Sequence, residues 1–238
     1  TVYGSRSFSL HLFGEPTLYP KWLEAVEYIK YKNPRHTVLL TTNGTTLNRR
    51  VDDLCRSQVD LVLWTWRPEA TFTPETKEKL RKWGKFRVRF IQEITPKEAY
   101  LEWAEWPNVE GRHLHSYGGE VDLTKWTNPV ATGPTHPCYH LWYAPAVAWN
   151  GNILLCCSDP HHAEVIGTFP QMSVAEAWRS QKLQAVRESH LNGIYRGICK
   201  NCTVPQQYPD LWFNFQKRTG SPSGALAFSI SLPSGAST

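Results

Sequence analysis

The sequence predicts a mixed α/β chain in which a parallel sheet or open barrel with helices outside it precedes a smaller, cysteine-bearing region. Strand-like and helical segments alternate from residue 7 to about residue 117, which is typical of parallel strands joined by helices. Of the six cysteines, five fall after residue 137. Apolar residues make up 41% of the 238 residues and charged residues 20%, so the chain is globular rather than disordered.

Apolar patterns define the elements of the first half. Strands are predicted at 7–13, 37–42, 61–66, 86–94 and 112–117. Helices are predicted between them at 20–32, 51–57, 73–84 and 97–106. The third helix has the clearest signals, because Thr73 is a capping residue, Pro74 takes the first helical position and Gly84 follows the last turn.

The second half is richer in turns. Prolines and glycines between residues 120 and 137 indicate a connecting segment. Ser173 and Glu176 form a capping-box pattern that opens one helix, which we expect to run to residue 191. Residues 219–238 carry no charge, and alternating apolar residues at 226–232 could add an edge strand.

The composition and the first residues also indicate which partners and which cellular compartment to expect. The formal charge of +5 is a weak indication of acidic partners, and the eleven tryptophans are scattered as core residues are, so nucleic acid is not expected as a partner. The sequence contains no uninterrupted stretch of 18 apolar residues, so a membrane span is not predicted. The first residues show no export signal, so we expect the cytoplasm, where clustered cysteines more often bind metal than form disulfides.

Four cysteines have the spacing of one metal centre. Cys138 is followed by Gly151 after twelve residues and by Cys156 after four more, and Cys199 and Cys202 form a CxxC turn. We call Cys138, Cys156, Cys199 and Cys202 the cysteine quartet. Four thiolates suit a tetrahedral zinc ion or a [4Fe–4S] cluster, and spacing alone does not choose between them. The alternative to a metal centre is that these cysteines are buried as apolar core side chains and bind no metal.

Residues 136–203 resemble the SPASM/twitch extension of radical S-adenosylmethionine (radical SAM) proteins. The cysteine quartet and Gly151 meet the pattern CX9–15GX4C followed by CX2C, and residues 147–159 and 173–178 agree with it as well. The resemblance implies that the quartet holds an auxiliary [4Fe–4S] cluster, with zinc as the alternative, and that Cys157 is a spare thiol. No cysteine follows Cys202, so one cluster is implied.

The first half carries further parts of the same resemblance. Gly14, Glu15 and Pro16 are similar to the family's GGEP segment, although Phe13 stands where a glycine is usual. Asn43 lies in a segment similar to the family's TNG segment. In the family the GGE backbone and its Glu contact the amino group of S-adenosylmethionine, so the resemblance implies that this chain could bind it.

Other family features are weakly marked or missing. Contacts to the ribose and carboxylate of S-adenosylmethionine would fall by position near Thr65 and Gln92, and residues 115–119 resemble the end of the family's sixth strand. The CX3CX2C segment that binds the catalytic cluster is not found in this chain, and Cys55 lies far from its expected place. We therefore expect this polypeptide alone to be inactive in radical chemistry.

The resemblance implies a partial (β/α)6 radical-SAM-type barrel lacking its first strand, joined to a small α+β cysteine-rich twitch domain. The expected divisions are a barrel at 1–120, a linker at 121–135, a twitch domain at 136–205 and a tail at 206–238. By analogy the protein is an iron–sulfur enzyme, or part of one, that modifies a peptide or protein. The alternative is a non-catalytic iron–sulfur or zinc-binding protein that keeps the fold without cleaving S-adenosylmethionine.

Overall fold

The computed structural model describes residues 6–114, 116, 123–125, 133–207, 210, 212–214 and 217. The chain divides into two units, Thr1–Leu114 and His115–Thr238. Much of the expected connecting segment, most of residues 115–119 and the whole of the expected edge strand at 226–232 lie outside the described residues. Within the described part of the chain, no helix has the length and apolar character needed to cross a membrane.

The first unit is a parallel five-stranded sheet with helices between its strands. The strands are β1 (Ser7–Ser9), β2 (Thr37–Thr42), β3 (Leu61–Thr65), β4 (Phe86–Ile91) and β5 (Val109–Arg112). The helices are α1 (Trp22–Lys32), α2 (Leu47–Arg56), α3 (Pro74–Trp83) and α4 (Lys97–Glu102). The strands pair in chain order and every pair is parallel, which confirms the predicted α/β class with a parallel sheet.

Five elements of the first unit differ from their predicted bounds by three residues or more. β4 ends at Ile91 rather than at residue 94, and α4 ends at Glu102 rather than at residue 106. β1 ends at Ser9, because after the bond from the Leu10 amide to the Leu39 carbonyl the chain turns away from β2. α2 begins at Leu47, four residues before the predicted start. β5 begins at Val109, since its register with β4 places Val109 opposite Val88.

One face of the sheet packs on the helices. In β2, Val38 and Leu40 are buried while Leu39 between them is only partly so, as expected for side chains that alternate between the faces of a sheet. The largest fully buried side chains of this core are Trp22, Leu40, Leu47, Leu54, Trp64, Leu80, Phe86 and Phe90. Each of the leucines and phenylalanines contributes about 1.5–3 kcal/mol through burial.

The ends of α3 follow local rules, as predicted. The Thr73 hydroxyl accepts from the Thr76 amide at 3.1 Å, and Pro74 takes the first helical position. Gly84 ends the helix in the left-handed region at φ 73°.

The second unit contains a small antiparallel sheet and four α-helices among its described residues. Its strands are β6 (Ala146–Val147), β7 (Asn152–Leu154) and β8 (Val165–Thr168). Its helices are α5 (His140–Tyr143), α6 (Val174–Trp178), α7 (Gln181–Leu191) and α8 (Val204–Gln207), with a 3-10 turn at Gly197–Cys199; a second 3-10 turn spans Leu123–Lys125. The capping box of Ser173 and Glu176 is present, but the single helix predicted after it is two, because Ser180 caps a new helix by accepting from the Leu183 amide.

Asp60 is predicted to stabilise the amino-terminal edge of the sheet. Its carboxylate accepts from Lys30 Nζ at 2.6 Å and from the Val38 amide at 2.7 Å. Burial acts to raise the pKa of Asp60, but these two bonds and the charges of Lys30 and Lys85 together outweigh it and hold the pKa below its ordinary value. The stabilisation is therefore present above the pKa of the unfolded chain and is lost as pH falls through the folded pKa.

Asp60→Asn should lower the free energy of unfolding by about 1 kcal/mol at neutral pH, and the loss should shrink at acid pH. Denaturant unfolding at several pH values measures it. Asp53→Asn is the matched control, because Asp53 pairs with the exposed Arg50 and Arg56 side chains and such pairs contribute about 0–1 kcal/mol. Equal losses for both variants at every pH would contradict the assignment.

Candidate functional site

Cys138 is placed by backbone bonds at the start of α5. Its carbonyl accepts from the Leu141 amide at 3.3 Å, and its own amide donates to Nδ1 of His190 at 3.4 Å. The side chain is buried, with 7% exposed. A residue of α7 therefore fixes the backbone of the first cysteine of the quartet.

Cys156 follows β7, and the preceding hairpin depends on Gly151. Gly151 has a φ of +87°, and a Cβ added there would lie 2.4 Å from the Phe169 carbonyl oxygen. The Phe169 amide donates to the Gly151 carbonyl at 2.8 Å. The glycine between the first two cysteines thus permits a left-handed turn and a close approach of two backbone segments.

The loop after Cys156 is held by a buried carboxylate. Asp159 is 1% exposed and accepts from the amides of Ala163 and Glu164 at 2.9 and 2.8 Å. The Ser158 amide points at the Cys156 sulfur at 3.4 Å. The Asp159 side chain therefore shapes the loop, which orients one backbone donor toward the thiol.

The CxxC turn supplies the last two cysteines. The Cys202 amide donates to the Cys199 carbonyl at 3.3 Å, and both side chains are buried. The next residue, Thr203, is fixed by Ser116, whose hydroxyl accepts the Thr203 amide and whose amide donates to the Thr203 hydroxyl, each at 3.1 Å.

The cysteine quartet converges on one pocket, whose wall is completed by apolar residues such as Leu141 and Ile198. Burial raises the pKa of Cys138 well above its ordinary value, and the charges of the other three thiols raise it further. Burial likewise raises the pKa of Cys199. Cys157 is exposed and does not line this pocket.

The donor set fits a thiolate-bound iron–sulfur cluster. Within the described ranges, no group of three or more His, Cys, Asp or Glu side chains is arranged to hold a metal ion. A [4Fe–4S] cluster binds four thiolates, each through a different iron. A cationic iron core would also compensate thiolates that repel one another in a buried pocket.

His190 lines the same pocket and was missed by sequence reasoning. It is 2% exposed, and its Nε2 atom is buried without a hydrogen-bond partner among the described residues. Burial lowers the pKa of His190 to about 4. The one available signal was its place on the apolar face of a predicted helix, seven residues after Leu183.

In the first unit, Glu15 joins the segments that follow β1 and β2. Its carboxylate accepts from the Thr17 amide at 3.1 Å, from the Thr42 hydroxyl at 2.9 Å and from the Asn43 amide at 2.7 Å. Pro16 beside it is buried and begins a short 3-10 turn. The residues that the GGEP and TNG similarities single out are therefore in direct contact.

The other predicted ligand-binding residues lie at the same edge of the sheet. Thr65 is buried at the end of β3, and Gln92 directly follows β4 with its side chain exposed. Gly14 and Asn43 are exposed. Because parallel strands end at a common edge, Glu15, Thr65 and Gln92 share the carboxyl edge where ligands of open α/β sheets bind.

Sequence reasoning also missed His11, which lies just before this edge. Its Nδ1 atom is 2.9 Å from the Ser9 hydroxyl. Burial lowers the pKa of His11 to about 4, and the charge of Arg89 adds to the effect. Arg89 in turn pairs with Glu110 at 2.5 Å. A single histidine at the end of a strand carries no pattern that would distinguish it.

Comparisons with known proteins agree with this architecture. Residues 138–203 match the SPASM family, described as an iron–sulfur cluster-binding domain. An uncharacterized protein of Treponema pallidum (strain Nichols) is 24% identical over 229 residues, covering 82% of this chain. The chain spans 63% of that protein's length.

Three solved structures, of two proteins, share the fold. BtrN in complex with AdoMet and 2-DOIA is 20% identical, with a TM-score of 0.58, and the match covers 82% of this chain and 72% of BtrN. Histidine-tagged anSMEcpe with bound AdoMet is 12% identical, with a TM-score of 0.57, and the match covers 91% of this chain and 80% of anSMEcpe. The native anSMEcpe structure with AdoMet and the Cp18Cys peptide is 14% identical, with a TM-score of 0.50, and the match covers 91% of this chain and 85% of that structure's chain.

Gly151→Ala should lower the free energy of unfolding by more than about 2 kcal/mol, because a backbone clash adds to the cost of about 1–2 kcal/mol for a left-handed alanine. Denaturant unfolding measures the loss. Gly193→Ala is the matched control, since Gly193 has a φ of +69° in the same unit and open space around its Cβ position. Equal losses of unfolding free energy in Gly151→Ala and Gly193→Ala would contradict the prediction that the close contact with the Phe169 carbonyl adds to the cost.

Proposed function

Because residues 138–203 match the SPASM iron–sulfur cluster-binding domain and the fold is shared with BtrN and anSMEcpe, we propose that this chain is a radical SAM/SPASM superfamily protein. We propose that its cysteine quartet holds one auxiliary [4Fe–4S] cluster and that the protein acts in modifying a peptide or protein. The observation that carries the proposal is the convergence of the quartet on one buried pocket. Such a cluster, when bound, supplies one-electron transfer. The surrounding residues position the thiols, exclude water and offer backbone donors such as the Ser158 amide.

The first unit is proposed to be a partial (β/α)6 barrel, at residues 1–120, that binds S-adenosylmethionine. The strict chain order of the parallel strands supports a barrel, because a doubly wound sheet would reverse its order. Right-handed crossovers place successive helices on one face and leave the other free to curve around a ligand. Gly14 and Glu15 would contact the amino group, with Pro16 and Asn43 beside them. Thr65 and Gln92 would lie near the ribose and carboxylate.

The second unit is proposed to contain the twitch domain at residues 136–205, after a linker at 121–135 and before a tail at 206–238. The peptide or protein substrate rests on analogy with anSMEcpe, whose structure includes the Cp18Cys peptide. BtrN was solved with 2-DOIA instead, so the shared fold accommodates different ligands.

Each cysteine of the quartet should be required for the cluster. Anaerobic reconstitution of the full chain should give about four irons and four sulfides per chain, with broad absorbance near about 400 nm. Cys138→Ala, Cys156→Ala, Cys199→Ala and Cys202→Ala should each lose most of the iron and the absorbance.

Cys157→Ala is the control, because the neighbouring Cys157 side chain is exposed outside the pocket. It should keep the iron content and spectrum of the unaltered chain. A colourless protein with one zinc per chain would contradict the proposed cluster, and about eight irons per chain would contradict a single one.

Glu15→Gln should weaken the binding of S-adenosylmethionine roughly tenfold or more, because it removes the negative charge that would attract the amino group and weakens the bonds that fix the side chain. Isothermal calorimetry of the reconstituted chain measures the Kd. Glu102→Gln, which alters an exposed pair with Lys77, is the control and should leave the Kd unchanged. Absence of binding by the unaltered chain would refute the site.

A further inference from the structure

His190 occupies an inward position on α7. Together with Leu183 and Arg187 it forms the buried side of that helix. Its ring packs edge-on against the Tyr195 ring, with centroids 4.9 Å apart and an interplanar angle of 88°. The ring orientation is therefore set on two sides, by Tyr195 and by the backbone of Cys138.

The contact with Cys138 also determines where the ring carries its proton. The Cys138 amide donates to Nδ1 of His190, so Nδ1 acts as an acceptor and bears no hydrogen. A neutral imidazole in that state carries its proton on Nε2. Nε2 is consequently a donor and has no lone pair with which to bind a metal.

This donor stands beside the cysteine quartet without a partner. His190 lines the pocket that holds the four thiols, and Nε2 is buried with no hydrogen-bond partner in the described part of the chain. Buried polar groups in folded proteins are almost always hydrogen-bonded. The acceptors that a cluster would bring into this pocket are sulfur atoms, either cysteine Sγ or bridging sulfide.

We infer that His190 is a positioning residue whose Nε2–H donates a hydrogen bond to a sulfur of the cluster, which raises the cluster's reduction potential. The inference rests on the proposed function, since it needs a cluster held by the quartet. Reduction adds negative charge to the sulfurs, so an N–H donor stabilises the reduced form more than the oxidised form. The same ring anchors the backbone of Cys138 through its other nitrogen.

Three variants of the reconstituted full chain distinguish the role of Nδ1 of His190 from the role of Nε2. His190→Asn retains an acceptor near the Nδ1 position and lacks the Nε2 donor. His190→Gln places an amide donor near the Nε2 position, and His190→Phe removes both. Redox titration followed by electron paramagnetic resonance should show a more negative midpoint potential for His190→Asn and His190→Phe, with His190→Gln close to the unaltered chain.

Iron content and circular dichroism accompany each titration. A potential unchanged in iron-loaded His190→Asn overturns the inference, as does an equal shift in His190→Asn and His190→Gln. If the unaltered chain binds no iron, the proposed function fails instead. Tyr195→Phe keeps the ring contact and serves as a control with an unchanged potential.

A second measurement needs no variant at all. Pulsed electron paramagnetic resonance on the reduced chain, with histidine labelled with 15N in the imidazole ring only, should show a weak nitrogen coupling transmitted through a hydrogen bond. Ring labelling leaves out the His140 backbone nitrogen, which also bonds to the Cys138 sulfur. The strong coupling of a directly bound nitrogen, or no coupling, overturns the inference even if every variant fails to assemble a cluster.

Discussion

The convergence of four thiols on one pocket is the constraint on which the second unit depends, with Cys156 partly buried and the other three cysteines buried. A thiol that loses its proton away from water incurs a desolvation cost, and four such charges also repel one another. Both effects act to raise the pKa of Cys138 in the protein alone. A cationic centre shared by all four would offset both effects at once, so an arrangement unfavourable for ionised thiols alone suits thiolates bound to a metal centre.

The surrounding backbone is built to keep that arrangement fixed. Gly151 lies so close to the Phe169 carbonyl that a side-chain Cβ would not fit between them. The Asp159 carboxylate accepts hydrogen bonds from two backbone amides. Ser116 hydrogen-bonds to Thr203, which lies 87 positions later in the chain. Each interaction satisfies backbone groups that would otherwise be buried without partners. The second unit also has an apolar core that includes Trp142, Ile153 and Leu183. The core holds the strands and helices together, and these polar contacts fix the loops that carry the thiols.

Local signals predicted much of the fold, whereas contacts between distant residues were not predictable. The Thr73 cap and the Ser173 capping box act within one helical turn, so their chemistry is visible in four residues. Cysteine spacing likewise identified which thiols meet. The contact of His190 with Cys138 joins residues 52 positions apart, and no sequence pattern encodes it. The break at Ser180 was missed because the apolar pattern continues across it.

The carboxyl edge of the first unit combines charges of both signs. Glu15 is negative and held by donors from two segments, while Arg89 is close enough to lower the pKa of His11, and Glu15 acts on the same histidine in the opposite direction. The free α-amino acid group of S-adenosylmethionine carries an ammonium and a carboxylate on one carbon. If that group binds at this edge as proposed, Glu15 favours the orientation that brings the ammonium toward its carboxylate, because reversal would bring two negative charges together. Arg89 is already paired with Glu110 and contributes less. The position of Glu15 therefore matters as much as its charge, and the bonds from Thr17, Thr42 and Asn43 fix that position before any ligand arrives.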